Sequence, residues 1–175
     1  MQIVKQVLVD RTDHVVVLGD GKLGQLAARA LKGRAGKLLL VGKHAAKMEA
    51  AEKQGIQTVP VGEFLNQGLA DIVVEATGRA EGFELAMRAV RPRGTIVLKS
   101  TIAATSGMNL APLVINEITV VGSRCGPFSE ALRALSSRQV DVDALVSRVF
   151  PLRQGLEALE AAGHSENIKV LLDMR

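Results

Sequence analysis

The stretch VVVLGDGKLGQLAARAL, residues 15–31, changes its period within seventeen positions. Val15 to Leu18 is an unbroken apolar run, the pattern of a central strand covered on both faces. Leu23, Leu26, Ala27, Ala30 and Leu31 then recur at i, i+3, i+4, i+7 and i+8, the spacing of one helical face. Between the two lies Gly19-Asp20-Gly21-Lys22-Leu23-Gly24, a GxGxxG spacing set directly after a strand and opening a helix. Gly19 permits the tight turn, Gly21 lets the backbone approach a pyrophosphate, and Gly24 allows close helix-to-strand packing, while the free N–H groups of the helix face the anion. The alternatives are a glycine-rich turn with structural work only, and an S-adenosylmethionine site.

Outward from this unit the same rhythm repeats. Lys37 to Val41 (KLLLV) reads as a second strand, followed by an Ala-rich helix around Ala45 to Gln54 that Gly55 closes. Ile72 to Val74 is a third strand. Phe83, Ala86, Met87 and Val90 mark a helix stopped by Arg91-Pro92-Arg93-Gly94, and Thr95 to Leu98 follows as a strand. Ile118 to Val121, ending at Gly122, is a fifth, and Phe128, Ala131, Leu132 and Leu135 define the next helix, with Pro127 in its first turn. Leu152, Gly155, Leu156 and Leu159 share a last helical face that Gly163 caps, and Ile168 to Leu172 is a final strand. Residues 1–9 read as a helix end or a strand, and Ile102 to Ile115 as a loop that turns apolar. Strands alternating with helical crossovers predict an α/β fold with a parallel sheet.

Length and composition narrow the function. At 175 residues the chain makes a single domain, and its 47% hydrophobic and 23% charged residues are ordinary for a globular protein. No apolar run approaches the ~20 residues that span a bilayer, and Met1 to Asp10 lacks the apolar stretch of a signal peptide, so no membrane is expected and the cytoplasm is the expected location. The lone Cys125 and three scattered histidines give no metal-ligand spacing. Net charge is +4, but the 22 Lys and Arg are dispersed and Trp and Tyr are absent, which argues against nucleic acid as a partner. Without tyrosine, no Tyr–Lys proton donor of the short-chain reductase type is available.

A dinucleotide site usually places an Asp or Glu about 20 residues beyond the glycines, at the end of the second strand, to accept hydrogen bonds from the adenosine ribose. Here that place holds Gly42-Lys43-His44. With no carboxylate and with Lys43 and His44 able to pair with a 2′-phosphate, the expected coenzyme is NADP, with NAD as the alternative; Gly42→Asp is expected to move the balance toward NADH. Thr77 and Gly78 close the third strand, and Lys99, Ser100 and Thr101 follow the fourth, at the carboxyl ends that border a nucleotide crevice. All five also suit plain turns. Glu75 reads as solvated or salt-bridged rather than as a base, and Cys125 as a small structural residue rather than a nucleophile.

The segments VVVLGDGKLGQLAARAL, DIVVEATG, RPRGTIVLKS, NEITVVGSRCGPFSEALRAL and VFPLRQGLEALEAA with IKVLLD, in this order, resemble the cofactor-binding half of zinc-type medium-chain alcohol dehydrogenases over nearly the whole chain. The resemblance implies a six-stranded Rossmann sheet of order 3-2-1-4-5-6. It implies a pyrophosphate cradle at Gly19, Gly21, Lys22, Leu23 and Gly24, coenzyme selection at Gly42, Lys43 and His44, and backbone-rich contacts at Thr77, Gly78, Lys99, Ser100, Thr101, Val120, Val121 and Gly122. Lys169 matches a basic position near the pyrophosphate, or is an edge-strand lysine in water. The resemblance further implies a homodimer through the strand near Ile115 to Val121. The family's N-terminal GroES-like catalytic lobe, which carries the Cys and His zinc ligands, has no counterpart in these residues, and residues 1–9 resemble the end of the helix joining the lobes. The expectation is a domain, free of zinc, that binds NADP(H) but turns over no alcohol alone. A stand-alone nucleotide-sensing module is the alternative, and a methyltransferase comes third.

Overall fold

The computed structural model describes residues 1–101 and 107–175. Strand β1 (His14–Leu18) lies at the centre of a six-stranded sheet with β2 (Lys37–Gly42) and β3 (Gln57–Pro60) on one side. On the other side lie β4 (Ala70–Glu75), β5 (Val90–Leu98) and β6 (Thr119–Gly122). The order is β3-β2-β1-β4-β5-β6 with every pairing parallel, the expected Rossmann order. Its strands are not the six read from the sequence. Gln57–Pro60, which escaped notice, is the outer strand beside β2, and the final strand read at Ile168 to Leu172 lies outside this sheet.

Both faces are covered, which is why β1 tolerates no polar residue after His14. Val15 and Val17 point into one layer with Ala27, Ala28 and Leu31 of α2 (Lys22–Leu31), Ala51 of α3 (Ala45–Glu52) and Ile3 of α1 (Ile3–Gln6). Val16 and Leu18 point into the other, with Phe64 and with Phe83, Ala86 and Ala89 of α4 (Ala80–Ala89). All four are buried. Each removes its side chain from water at a gain of roughly 1.5–3 kcal/mol. Asp71 pins the amino ends: it accepts from the His14 N–H at 2.7 Å and from Arg91 Nε at 2.6 Å. The Arg91 bond, with the His14 amide, holds its carboxyl below the usual carboxylate range.

The apolar face read from spacing and the buried face of α2 differ at Leu23. Leu23 is exposed, and Gly24, Gln25, Ala27, Ala28, Arg29 and Leu31 are the buried set. The small residues face the strand so that the helix lies close. Residues 1–9 contain the short helix α1, and Ala111–Ile115 forms α5 at the end of the stretch read as loop-like; its positions 102–106 fall outside the described residues.

Beyond β6 come α6 (Phe128–Ser136), β7 (Val146–Pro151), α7 (Gly155–Gly163) and β8 (Lys169–Asp173). Strands β7 and β8 pair in parallel as a separate two-stranded sheet. Here the sequence periodicity marks apolar faces correctly but not their burial. In α6 only Ala134 is buried, with Phe128 77% and Leu132 51% exposed; in α7 only Ala158 and Ala161 are buried, with Leu156 84% and Leu159 71% exposed. Gly163 ends α7 without a left-handed backbone, so the expected cap there is absent.

Candidate functional site

At β1 the direction of strand succession reverses: β1 pairs with β2 on one side and with β4 on the other, so the connections leave in opposite senses and a crevice opens at the carboxyl ends. That crevice measures about 580 Å³ and is lined by Leu18, Gly19, Asp20 and Gly21 after β1, Val41 to His44 after β2, and Ala76 and Thr77 after β4. Lys47, Val61, Arg79, Glu81, Gly82 and Leu85 complete its walls.

The three glycines of the loop do different work. Gly19 has φ +109, and a Cβ there would stand 2.7 Å from the Ala76 carbonyl oxygen. A Cβ on Gly24 would stand 1.8 Å from the Gly19 carbonyl oxygen, so helix α2 rests directly on the turn that precedes it. Gly21 differs. Its φ of −70 suits any residue, and a Cβ there would meet nothing within 4 Å. The loop is packed at its first and third glycines and open at its second.

Gly21 is also the N-cap of α2; no side chain caps that end, and its first turn holds no acid. The first-turn amides therefore keep their donors for an anion, with the helix dipole behind them. Lys22 and Leu23 stand exposed at this end.

The turn after β2 departs from the sequence reading. A carboxylate does stand at the end of the second strand, supplied by Asp20 from inside the glycine loop. Its Oδ2 accepts from the backbone N–H groups of Lys43 and His44, each at 2.7 Å, and its Oδ1 lies 3.0 Å from His44 Nδ1. Burial pushes the Asp20 carboxyl upward, but the His44 and Lys43 hydrogen bonds together outweigh it and hold the group below the usual carboxylate range. The premise of an acid-free site is thus corrected. A Cβ on Gly42 would lie 2.7 Å from Asp20 Oδ2 and 2.9 Å from Met48 Cγ, so Gly42→Asp meets a carboxylate already in place and must displace it. Lys43 is exposed at the rim, and His44 is partly exposed beside it.

Thr77 lies on the crevice wall, its N–H and Oγ1 both donating to Glu75 Oε1, at 2.7 and 2.5 Å. Glu75 is fully buried, neither solvated nor salt-bridged, and its Oε2 has no partner among the described residues. Its work is to hold the Thr77 turn against Gly82, where a Cβ would stand 1.9 Å from Thr77 Oγ1. The Gly78 N–H donates to Ser100 Oγ at 2.7 Å. Lys99 is tied down by Nζ donating to Ser123 Oγ at 3.3 Å and to the Arg124 carbonyl at 2.8 Å, and burial lowers its pKa. Thr101 follows it, exposed.

Val120, Val121 and Gly122 end β6, with Gly122 level with Leu98 of β5, two strands from the crevice floor. Lys169 opens β8 in the separate sheet, exposed, and takes no part in lining the crevice. Among the described residues no three His, Cys, Asp or Glu side chains gather into a metal cluster, and Cys125 is exposed and unpaired. No helix among those residues is long and apolar enough to cross a membrane.

The sequence reading missed Asp20, Lys47, Arg79 and Glu81 as crevice residues. An acid at the second position of the glycine motif was the one signal available for Asp20.

The family described as zinc-binding dehydrogenase matches residues 22–138. A sorbitol dehydrogenase of Halalkalibacterium halodurans is 27% identical over 180 aligned positions, covering 94% of this chain and 52% of the relative. Among solved structures, L-idonate 5-dehydrogenase from Escherichia coli superposes with a TM-score of 0.88 at 21% identity, over 98% of this chain and 53% of that one. A protein of Sinorhizobium meliloti, bound to NADP, does so with a TM-score of 0.86 at 22% identity, over 97% of this chain and 54% of that one. The chain spans about half the length of the proteins it matches.

Proposed function

The chain belongs to the zinc-binding dehydrogenase family, and from that premise we propose that it is the NADP(H)-binding half of an alcohol or polyol oxidoreductase, with NAD(H) also accepted. The observation that carries the reading is the open position at Gly21 between two glycines that backbone fills, under the uncapped end of α2. The coenzyme's chemistry is hydride transfer. The chain's residues supply the rest: the Lys22 to Gly24 amides hold the pyrophosphate, Lys43 and His44 meet the adenosine end, and Thr77 and Gly78 border the crevice toward β4. Lys99, Ser100 and Thr101 together with Val120, Val121 and Gly122 bound the nicotinamide side, and Lys169 reaches the phosphates only if β8 is carried toward them.

The uncovered apolar faces of α6 and α7 support a half rather than a whole enzyme, because Phe128, Leu132, Leu156 and Leu159 are patterned for burial that this chain does not provide. Titration of the chain with NADPH and NADH, followed by calorimetry, is expected to give one site per chain with NADPH the tighter. No reduction of NADP⁺ by secondary alcohols is expected. Absence of binding by either coenzyme contradicts the proposal, and turnover by the isolated chain contradicts its half-enzyme part.

The outer edge of β6, unpaired among the described residues, with Val120 exposed and Val114 and Ile115 standing out of the adjoining α5, supports pairing of two copies edge to edge. Sedimentation equilibrium is expected to return twice the chain mass at micromolar concentration; a single-chain mass there rules the pairing out.

A further inference from the structure

We propose that Asp20, carried inside the glycine loop, reads the 2′ position of the coenzyme's adenosine ribose, a task usually given to an acid at the end of the second strand. The assignment rests on the coenzyme reading above and deepens it. Three observations converge. The carboxylate occupies the space that a side chain on Gly42 would need, with Asp20 Cβ 2.8 Å and Oδ2 2.7 Å from a Cβ built there. It is a built feature, since the residue is 6% exposed and holds the Lys43 and His44 amides at 2.7 Å each. And it lines the crevice together with those two residues.

Two opposed consequences follow for a 2′-substituent. The amides of the β2–α3 turn would otherwise be donors for a 2′-phosphate, and Asp20 has taken both. Its negative charge also repels a phosphate, while Oδ1, with only His44 Nδ1 beside it, has a lone pair for a 2′-hydroxyl. Against this stand Lys43, exposed at the rim, and Lys47 in the wall, which attract a phosphate. The loop acid and the turn cations pull coenzyme choice in opposite directions, so the wild-type chain accepts both forms and Asp20 sets how far it leans.

Asp20→Asn keeps an oxygen for the two amides and removes the charge. In parallel titrations with NADPH and NADH, the ratio of the NADH to the NADPH dissociation constant is expected to rise about tenfold over wild type, equivalent to about 1.4 kcal/mol. Asp20→Ser, which is shorter and also neutral, is expected to move the ratio the same way, and adenosine 2′,5′-bisphosphate measured against AMP is expected to repeat the shift without the nicotinamide half. A folded Asp20→Asn or Asp20→Ser chain that binds both coenzymes with the wild-type ratio overturns the assignment and leaves Asp20 as a pin for the turn. Should the wild-type chain bind neither coenzyme, the coenzyme reading falls and this assignment with it.

Discussion

Gly24→Ala is expected to cost the fold on the order of 4 kcal/mol, a large fraction of the total stability of a domain of this size. A single methyl is the whole change. It would have to sit 1.8 Å from the Gly19 carbonyl oxygen and 2.9 Å from its carbon, and neither is the end of a flexible side chain that can swing away. Relief requires α2 to lift off β1, which uncovers Ala27, Ala28 and Leu31 from the layer they share with Val15 and Val17. Urea unfolding followed by circular dichroism measures the loss. An alanine variant with the wild-type midpoint would show that the helix does not rest on the turn.

Gly21→Val is expected to do the reverse, leaving the fold and removing the ligand. Nothing lies within 4 Å of a Cβ there, and φ −70 with ψ 177 is ordinary extended backbone. Valine is a poorer N-cap than glycine, which sets the stability cost at about 1 kcal/mol. Its two methyls fill the place of the pyrophosphate, and NADPH affinity is expected to fall at least about a hundredfold, or about 2.8 kcal/mol. Calorimetric titration beside a melting curve separates the two effects. Unchanged affinity in the folded variant would move the coenzyme away from the loop.

What the sequence disclosed follows from how each element is stabilised. The β1–α2 unit was legible because both strand faces are apolar and the period changes across the glycines. Strand β3 was not: Gln57, Thr58, Val59 and Pro60 include one branched aliphatic residue, and an outermost strand needs no more. In α6 and α7 periodicity reveals that a face is apolar and is silent on what covers it, so Phe128 and Leu156 mark their helical faces and yet stand in water. Asp20 was illegible for a different reason. Its charge belongs in sequence to the glycine loop and in space to a turn 23 residues away, and only the fold brings it against Lys43. Glu75 likewise reads as a solvated strand end until the close approach of Gly82 shows it sealed inside.

On the proposed function, peptide amides at the start of α2 hold a phosphate-bearing coenzyme. Amide shift mapping by NMR during NADPH titration tests it most directly. The largest perturbations are expected at Lys22, Leu23 and Gly24, with a second group at Lys43 and His44. Perturbations confined to other surfaces, or none at millimolar NADPH, would contradict it.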